Sequence, residues 1–232
     1  MSALASIGAF ENLSAAERDR LEHGMLILEP HDGQEIFGQG DPADAVYAIL
    51  GGTGRVRIGA LDRNSKALMV EMFHVGDIFG EIGVIDGDRR TAAAVAEGRL
   101  RVARISAPAF RSALSSCPRL GEALTRILAR RLRRTFELFQ DATFERLEVR
   151  LARQILYLAS HDARQTDQGL RLSGRLRQAD LADLLGATTR SIITILNSWR
   201  SSNIVIYDTD RALLTVPSKA ALQAIIDTET VP

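Results

Sequence analysis

The chain has 232 residues, 46% of them apolar, and its 29 lysines and arginines cancel its 29 aspartates and glutamates. That composition supports one or two packed cores, argues against intrinsic disorder, and leaves any nucleic-acid contact to a local patch rather than to net charge. A single cysteine, Cys117, excludes a disulfide framework and a cysteine-built zinc or iron–sulfur centre, so a reducing cytoplasm is the expected compartment.

The N-terminal segment MSALASIGAFENLSAAERDRLE is interrupted by charges at Glu11 and from Glu17 to Arg20, so no signal-peptide core is expected. No run reaches the ~20 apolar residues of a membrane span. From Ser14 a Ser-x-x-Glu capping box predicts a short helix that closes near Gly24. Between residues 25 and 105 the texture changes to short apolar runs, MLILEP, AVYAIL, RVRIGAL, ALMVEMF and LRVARI, parted by HDGQ, GQGDPAD, GGTG, DRNSK and GDIFGE. This predicts an antiparallel β-roll of about eight strands.

Within that region FGEIGVIDGDRRTAA, Phe79 to Ala93, concentrates chemistry: Glu81 precedes a Gly-Asp turn, and Arg89, Arg90 and Thr91 follow it. An arginine fork, a threonine hydroxyl and the N–H groups of glycine turns suit a phosphate, with about 1.5–3 kcal/mol from a charged hydrogen bond. Glu81 would repel such an anion on its own. It fits if it accepts from a sugar hydroxyl and ion-pairs with Arg90. Arg89 and Arg90 are neighbours on a strand, so one faces inward, and spacing does not say which. A charged surface hairpin is the competing reading.

After Pro108 the pattern is helical, and Gly121 is the sole glycine between Pro118 and Phe139. Leu128, Leu132, Thr135, Phe139 and Ala142 recur at steps of four, three, four and three, a seam for a partner helix or for the chain's own barrel. Arg130, Arg131, Arg133 and Arg134 are expected off that seam on a solvated face. A bend is expected near QDATFE with a hinge at Asp141 to Thr143; RLEVRLARQILYLASHD then opens a second helical unit, and HDARQTDQG reads as a surface loop.

In LRQADLADLLGATTRSIITILNSWR, Leu181, Leu184 and Leu185 give one helix an apolar face, Gly186 permits a sharp turn, and Thr188 caps a second helix. The second helix turns Ile192, Ile195, Leu196 and Trp199 inward, a helix-turn-helix layout. NIVIYD and RALLTV flank Asp208-Thr209-Asp210 as a hairpin wing. Thr189, Arg190, Ile193, Thr194 and Asn197 then face bases or phosphates, Arg190 being the long cation among them.

GDIFGEIGVIDGDRRTAA resembles the phosphate-binding cassette of cyclic-nucleotide-binding domains, and with the coiled helix and the wing nearly the whole chain resembles the CRP/FNR family of bacterial transcription regulators. The resemblance implies an α+β fold: a cyclic-nucleotide-binding β-roll over residues 1–117, a dimerisation helix over 118–141 and a winged helix-turn-helix domain over 142–232. It implies that Glu81 takes the ribose 2′-hydroxyl, Arg90 and Thr91 the cyclic phosphate, Gly80 and Ile82 backbone contacts, and Thr135 the purine. Cyclic AMP is the favoured ligand, with no metal. Cyclic GMP stays open, because Phe136 replaces a second hydroxyl after Thr135 and Thr91 reaches the amino group of a syn guanine.

Toward DNA the resemblance implies Gln178, Thr188, Thr189, Arg190, Thr194 and Asn197, a homodimer on a pseudo-palindromic operator, and RNA polymerase as a partner through the 161–169 loop. The common Arg-Glu-x-x-x-Arg pattern of the recognition helix is here Thr189, Arg190 and Thr194, which predicts an altered operator. The alternatives are a regulator gated otherwise or not at all, and a cyclic-nucleotide-binding module that does not touch DNA. His23, His31, His74 and His161 have no metal-ligand spacing, and an enzyme is not expected.

Overall fold

The computed structural model describes residues 2–61, 67–161 and 163–228. The chain divides into two compact units, Met1–Arg134 and Thr135–Pro232. Among the described residues no helix is long and apolar enough to cross a membrane.

In the first unit a helical turn at Ala3–Ser6 precedes α1 (Ala15–Glu22). Its capping box forms: Glu17 N–H donates to Ser14 Oγ at 3.3 Å, and Ser14 N–H donates to the Glu17 carboxylate at 2.7 Å. Eight strands follow: β1 (Leu26–Leu28), β2 (Glu35–Phe37), β3 (Ala45–Gly52), β4 (Arg55–Leu61), β5 (Ala67–Phe73), β6 (Ile78–Phe79), β7 (Ala93–Glu97) and β8 (Leu100–Ser106). They pair antiparallel in two four-stranded sheets, β1-β8-β3-β6 and β2-β7-β4-β5. This is the expected roll.

Strand β3 explains its own sequence. Its odd residues Ala45, Tyr47 and Ile49 join a core inside the roll with Phe73, Phe79 and Val102, where Tyr47 and Phe79 stack at 5.2 Å. Its even residues Val46 and Ala48 join a second core with Leu4, Phe10, Leu21, Ile105, Phe110, Leu120 and Leu124. A strand buried on both faces has no polar alternation, hence the unbroken run AVYAIL. Between β6 and β7 lies α2 (Glu81–Asp86), and after β8 come α3 (Ala107–Ser116) and α4 (Pro118–Phe144). Cys117, between α3 and α4, is buried in the second core.

The second unit holds the end of α4, then α5 (Leu147–His161), β9 (Ala163–Thr166), β10 (Gly169–Leu172), α6 (Gln178–Leu185), α7 (Thr189–Ser201), β11 (Ile206–Asp208), β12 (Leu213–Val216) and α8 (Lys219–Asp227). Its sheet runs β11-β12-β10-β9.

Two expectations need correction here. HDARQTDQG is not a plain loop: residues 163–166 are a strand paired with β10 from Ala163↔Leu172 to Thr166↔Gly169, and the Thr166 hydroxyl donates to Gly169 O at 2.7 Å. The apolar residues of this ribbon, Leu170 and Leu172, sit on the partner strand, so β9 carries no apolar period of its own. The break starts within QDATFE as expected, but later than the Asp141 to Thr143 hinge. Helix α4 runs to Phe144, past residue 141, and the break falls at Glu145 and Arg146. Asp141 is buried and accepts from Arg153 of α5, which also donates to Glu145 at 2.9 Å. One guanidinium thus fastens both sides of the break.

Candidate functional site

The segment between β6 and β7 is built around a glycine. Gly80 has φ +75°, and a Cβ there would lie 2.8 Å from Arg90 Nη1 and 3.1 Å from the Phe37 ring. Only glycine fits that turn and that proximity. The chain then makes the six-residue helix α2, so the hairpin reading of FGEIGVIDGDRRTAA is replaced by a turn–helix–loop, and Arg89 and Arg90 precede β7 rather than lie in it.

Backbone bonds decide which arginine turns inward. Arg90 N–H donates to Asp41 O and Gly40 N–H donates to Arg90 O, both at 2.9 Å. Arg89 is left exposed, donating to Gly40 O at 2.8 Å, while Arg90 is 4% exposed. Arg90 Nη1 donates to Gly80 O at 2.5 Å and Nη2 to Ala45 O at 2.7 Å; Asp44 Oδ1 lies 3.5 Å from Nη2. The guanidinium carbon sits 4.2 Å from the Phe37 ring centre. Its Nε is buried without an acceptor among the described residues. Burial pulls its pKa below the usual arginine range, against Tyr47 and Asp44, which push it back up. Since arginine stays protonated, the result is a buried cation with an N–H to offer, a setting that favours an anion.

Glu81, 1% exposed, corrects a second expectation. Its partner is Arg131 of α4 and not Arg90: Arg131 Nη1 donates to Glu81 Oε1 at 2.6 Å, and Nη2 donates to Ile78 O at 2.6 Å. The Arg131 guanidinium also lies 4.3 Å from the Phe73 ring centre. Arg131 therefore leaves the solvated face assigned to the arginine run, whereas Arg130 and Arg133 are exposed. A signal existed: Leu124, Ile127, Leu128 and Arg131 follow the three-and-four spacing of the core-facing stripe, and a buried carboxylate needs a cation.

Gly80, Glu81 and Arg90 are thus gathered around α2, while Ile82 and Thr91 are exposed beside them. Thr135 lies on an exposed face of α4. Leu132, Phe136 and Phe139 on that helix are 57%, 60% and 67% exposed, an apolar stripe with no cover in the chain's described residues.

In the second unit Leu181, Leu184, Leu185, Ile192, Ile195, Leu196 and Trp199 are all buried. Gly186 closes α6 with φ +61°, and Ser191 N–H donates to Thr188 Oγ1 at 3.1 Å, the expected cap of α7. Thr189, Arg190, Thr194 and Asn197 are exposed on α7, Ile193 is half-buried, and Gln178 is the half-buried first residue of α6. The Arg190 guanidinium forms no ion pair among the described residues, whereas Arg177 and Arg211 pair with Asp180 and Asp208. A free cation on the exposed face of a capped helix, next to a β11–β12 hairpin, is the arrangement of a winged-helix nucleic-acid reader.

Comparison with known proteins agrees with this geometry. Residues 29–117 match the cyclic nucleotide-binding domain family and residues 149–225 the Crp-like helix-turn-helix domain family. The chain is 30% identical over 189 residues to the CRP-like cAMP-activated global transcriptional regulator of Mycobacterium tuberculosis, covering 82% of this chain and 84% of that one. It is 26% identical over 197 residues to the cyclic AMP receptor protein of Thermus thermophilus, covering 84% and 87%. Among solved structures, the c-di-GMP responsive global regulator CLP of Xanthomonas campestris superposes with a TM-score of 0.76 at 22% identity, covering 88% of this chain and 100% of that one.

Proposed function

The chain belongs to the CRP/FNR family of transcription regulators, and from that premise we propose that it is a homodimeric DNA-binding regulator switched by a cyclic purine nucleotide. The observation that carries the switch is Arg90, buried and held by two backbone carbonyls with its Nε–H still available. In this reading the cyclic phosphate takes that N–H and the Thr91 hydroxyl. A ribose hydroxyl donates to Glu81, whose other duty is to Arg131, and Gly80 and Ile82 offer backbone groups. Thr135 serves the purine. The names of the similar relatives favour cyclic AMP, while Phe136 keeps cyclic GMP open.

Arg131 supplies a physical route for regulation. It belongs to α4 yet bonds to Glu81, so a ligand that moves the Glu81 carboxylate bears directly on the helix that carries the open apolar stripe. A twofold partner on that stripe would place two copies of α7 on a pseudo-palindromic operator. Gln178, Thr188, Thr189, Arg190, Thr194 and Asn197 would contact the DNA, and the β9–β10 hairpin tip is the surface offered to RNA polymerase.

Titration calorimetry with cyclic AMP and cyclic GMP, on the wild type and on Arg90→Ala, tests the ligand site. Arg90→Ala should weaken binding about tenfold to a hundredfold, the size of a charged hydrogen bond. No heat from either nucleotide on the wild type would sink the proposal. Fluorescence anisotropy on palindromic genomic fragments tests the switch: equal DNA affinity with and without nucleotide would overturn the gating and leave the family assignment standing.

A further inference from the structure

Phe37 closes strand β2 next to the buried Arg90 guanidinium. The register of β2 with β7 shifts there, from Glu35↔Val95 to Phe37↔Ala94, and a shift of this kind re-aims the side chain at the irregularity. The half-buried Phe37 ring rests on two buried rings, Tyr47 at 5.5 Å and Phe79 at 6.0 Å, which stack on each other at 5.2 Å. The guanidinium carbon of Arg90 lies over that supported ring, 4.2 Å from its centre. The Gly80 turn closes in on the same pair, since a Cβ there would come within 3.1 Å of the ring and 2.8 Å of Arg90 Nη1.

Two nitrogens of this guanidinium are fixed by backbone carbonyls, Nη1 by Gly80 O and Nη2 by Ala45 O. Those bonds leave the planar group one soft motion, a rocking about the line through the two Nη atoms. Nε lies off that line, so rocking redirects its N–H, and Nε is the nitrogen without an acceptor among the described residues. The Phe37 ring lies against the guanidinium carbon and stops the rocking on its side, by contact and by the attraction of its electron-rich face for the cation. We propose that Phe37 is a positioning residue of the nucleotide site: its ring sets the direction in which Arg90 presents its Nε–H to the phosphate. This rests on the nucleotide site proposed above and adds to it a residue that acts through Arg90. Holding the donor in place before the ligand arrives spares the ligand the cost of ordering it.

The test is calorimetric titration of the full-length protein with cyclic AMP and cyclic GMP. Phe37→Leu removes the ring and should weaken nucleotide binding by about threefold to tenfold. Phe37→pentafluorophenylalanine keeps the shape of the ring and its packing on Tyr47 and Phe79 but reverses its quadrupole, and should give a loss of similar size with the fold intact. In the Arg90→Ala background, Phe37→Leu should cost less than about twofold, because the group it orients is gone. Wild-type affinity in either Phe37 variant overturns the proposal; for the fluorinated ring it would reduce Phe37 to a packing residue. An equal loss from Phe37→Leu with and without the Arg90 side chain also overturns it. No heat from either nucleotide on the wild type fails the nucleotide site itself, a result distinct from binding that is indifferent to position 37.

Discussion

Glu81 and Arg131 show how much a single residue's surroundings decide. Their side chains are 2% and 20% exposed, so removing one partner strands a charge in a poorly solvated place. Replacing Arg131 by Met should cost about 3–5 kcal/mol of stability, and the double variant with Glu81→Met should recover a large part of that. Urea unfolding of the four proteins of this cycle measures it. Glu71 carries the opposite lesson. Its pKa is raised in the fold by burial, so it holds its proton more readily folded than unfolded, and stability falls as pH rises from the ordinary carboxylate range, about 4.3, through the raised value. Glu71→Gln should therefore melt higher than wild type at neutral pH and match it below about pH 4, as scanning calorimetry across pH would reveal. Glu81 and Arg90 were legible in the sequence because glycines and a hydroxyl surround them in one short stretch. The pairing was not, since Arg131 lies 50 positions from Glu81 inside a run of like residues, and only packing singles it out.

At the scale of elements, legibility followed apolar periodicity. Helices α6 and α7 alternate buried and exposed faces as their leucines and isoleucines require, and their turn is fixed by Gly186 and Thr188. The cap is a local quantity that can be measured: Thr188→Ala should destabilise the second unit by about 1 kcal/mol through the lost bond to Ser191 N–H, read as a shift of the urea midpoint at constant slope. Short elements hid. The six residues of α2 lie between Gly80 and Gly87, which look like turn punctuation, and β9 has polar residues facing solvent on an edge strand. Neither has enough length for a period to emerge.

For the whole molecule the order of parts was the readable quantity: capped helix, eight-strand roll, long helix, winged helix. What lay beyond reach was where the long helix stops and what covers it. Leu132, Phe136 and Phe139 expose a contiguous apolar stripe of the kind a monomer seldom leaves open. With the proposed dimer seated on this stripe, Phe139→Asp should leave a monomer in sedimentation velocity while destabilising either unit by no more than about 1 kcal/mol, because an exposed side chain contributes little to its own fold. The fastening of Asp141 and Glu145 by Arg153 bears on how such a stripe would be put to use. The break between α4 and α5 keeps the backbone bond from Glu145 N–H to Asp141 O, and the α5 ladder resumes with Arg150 N–H on Arg146 O. With side chains strapped across it as well, the junction is an articulated elbow and not a slack tether: a twist applied to one helix is delivered to the next as torque instead of being dissipated between them.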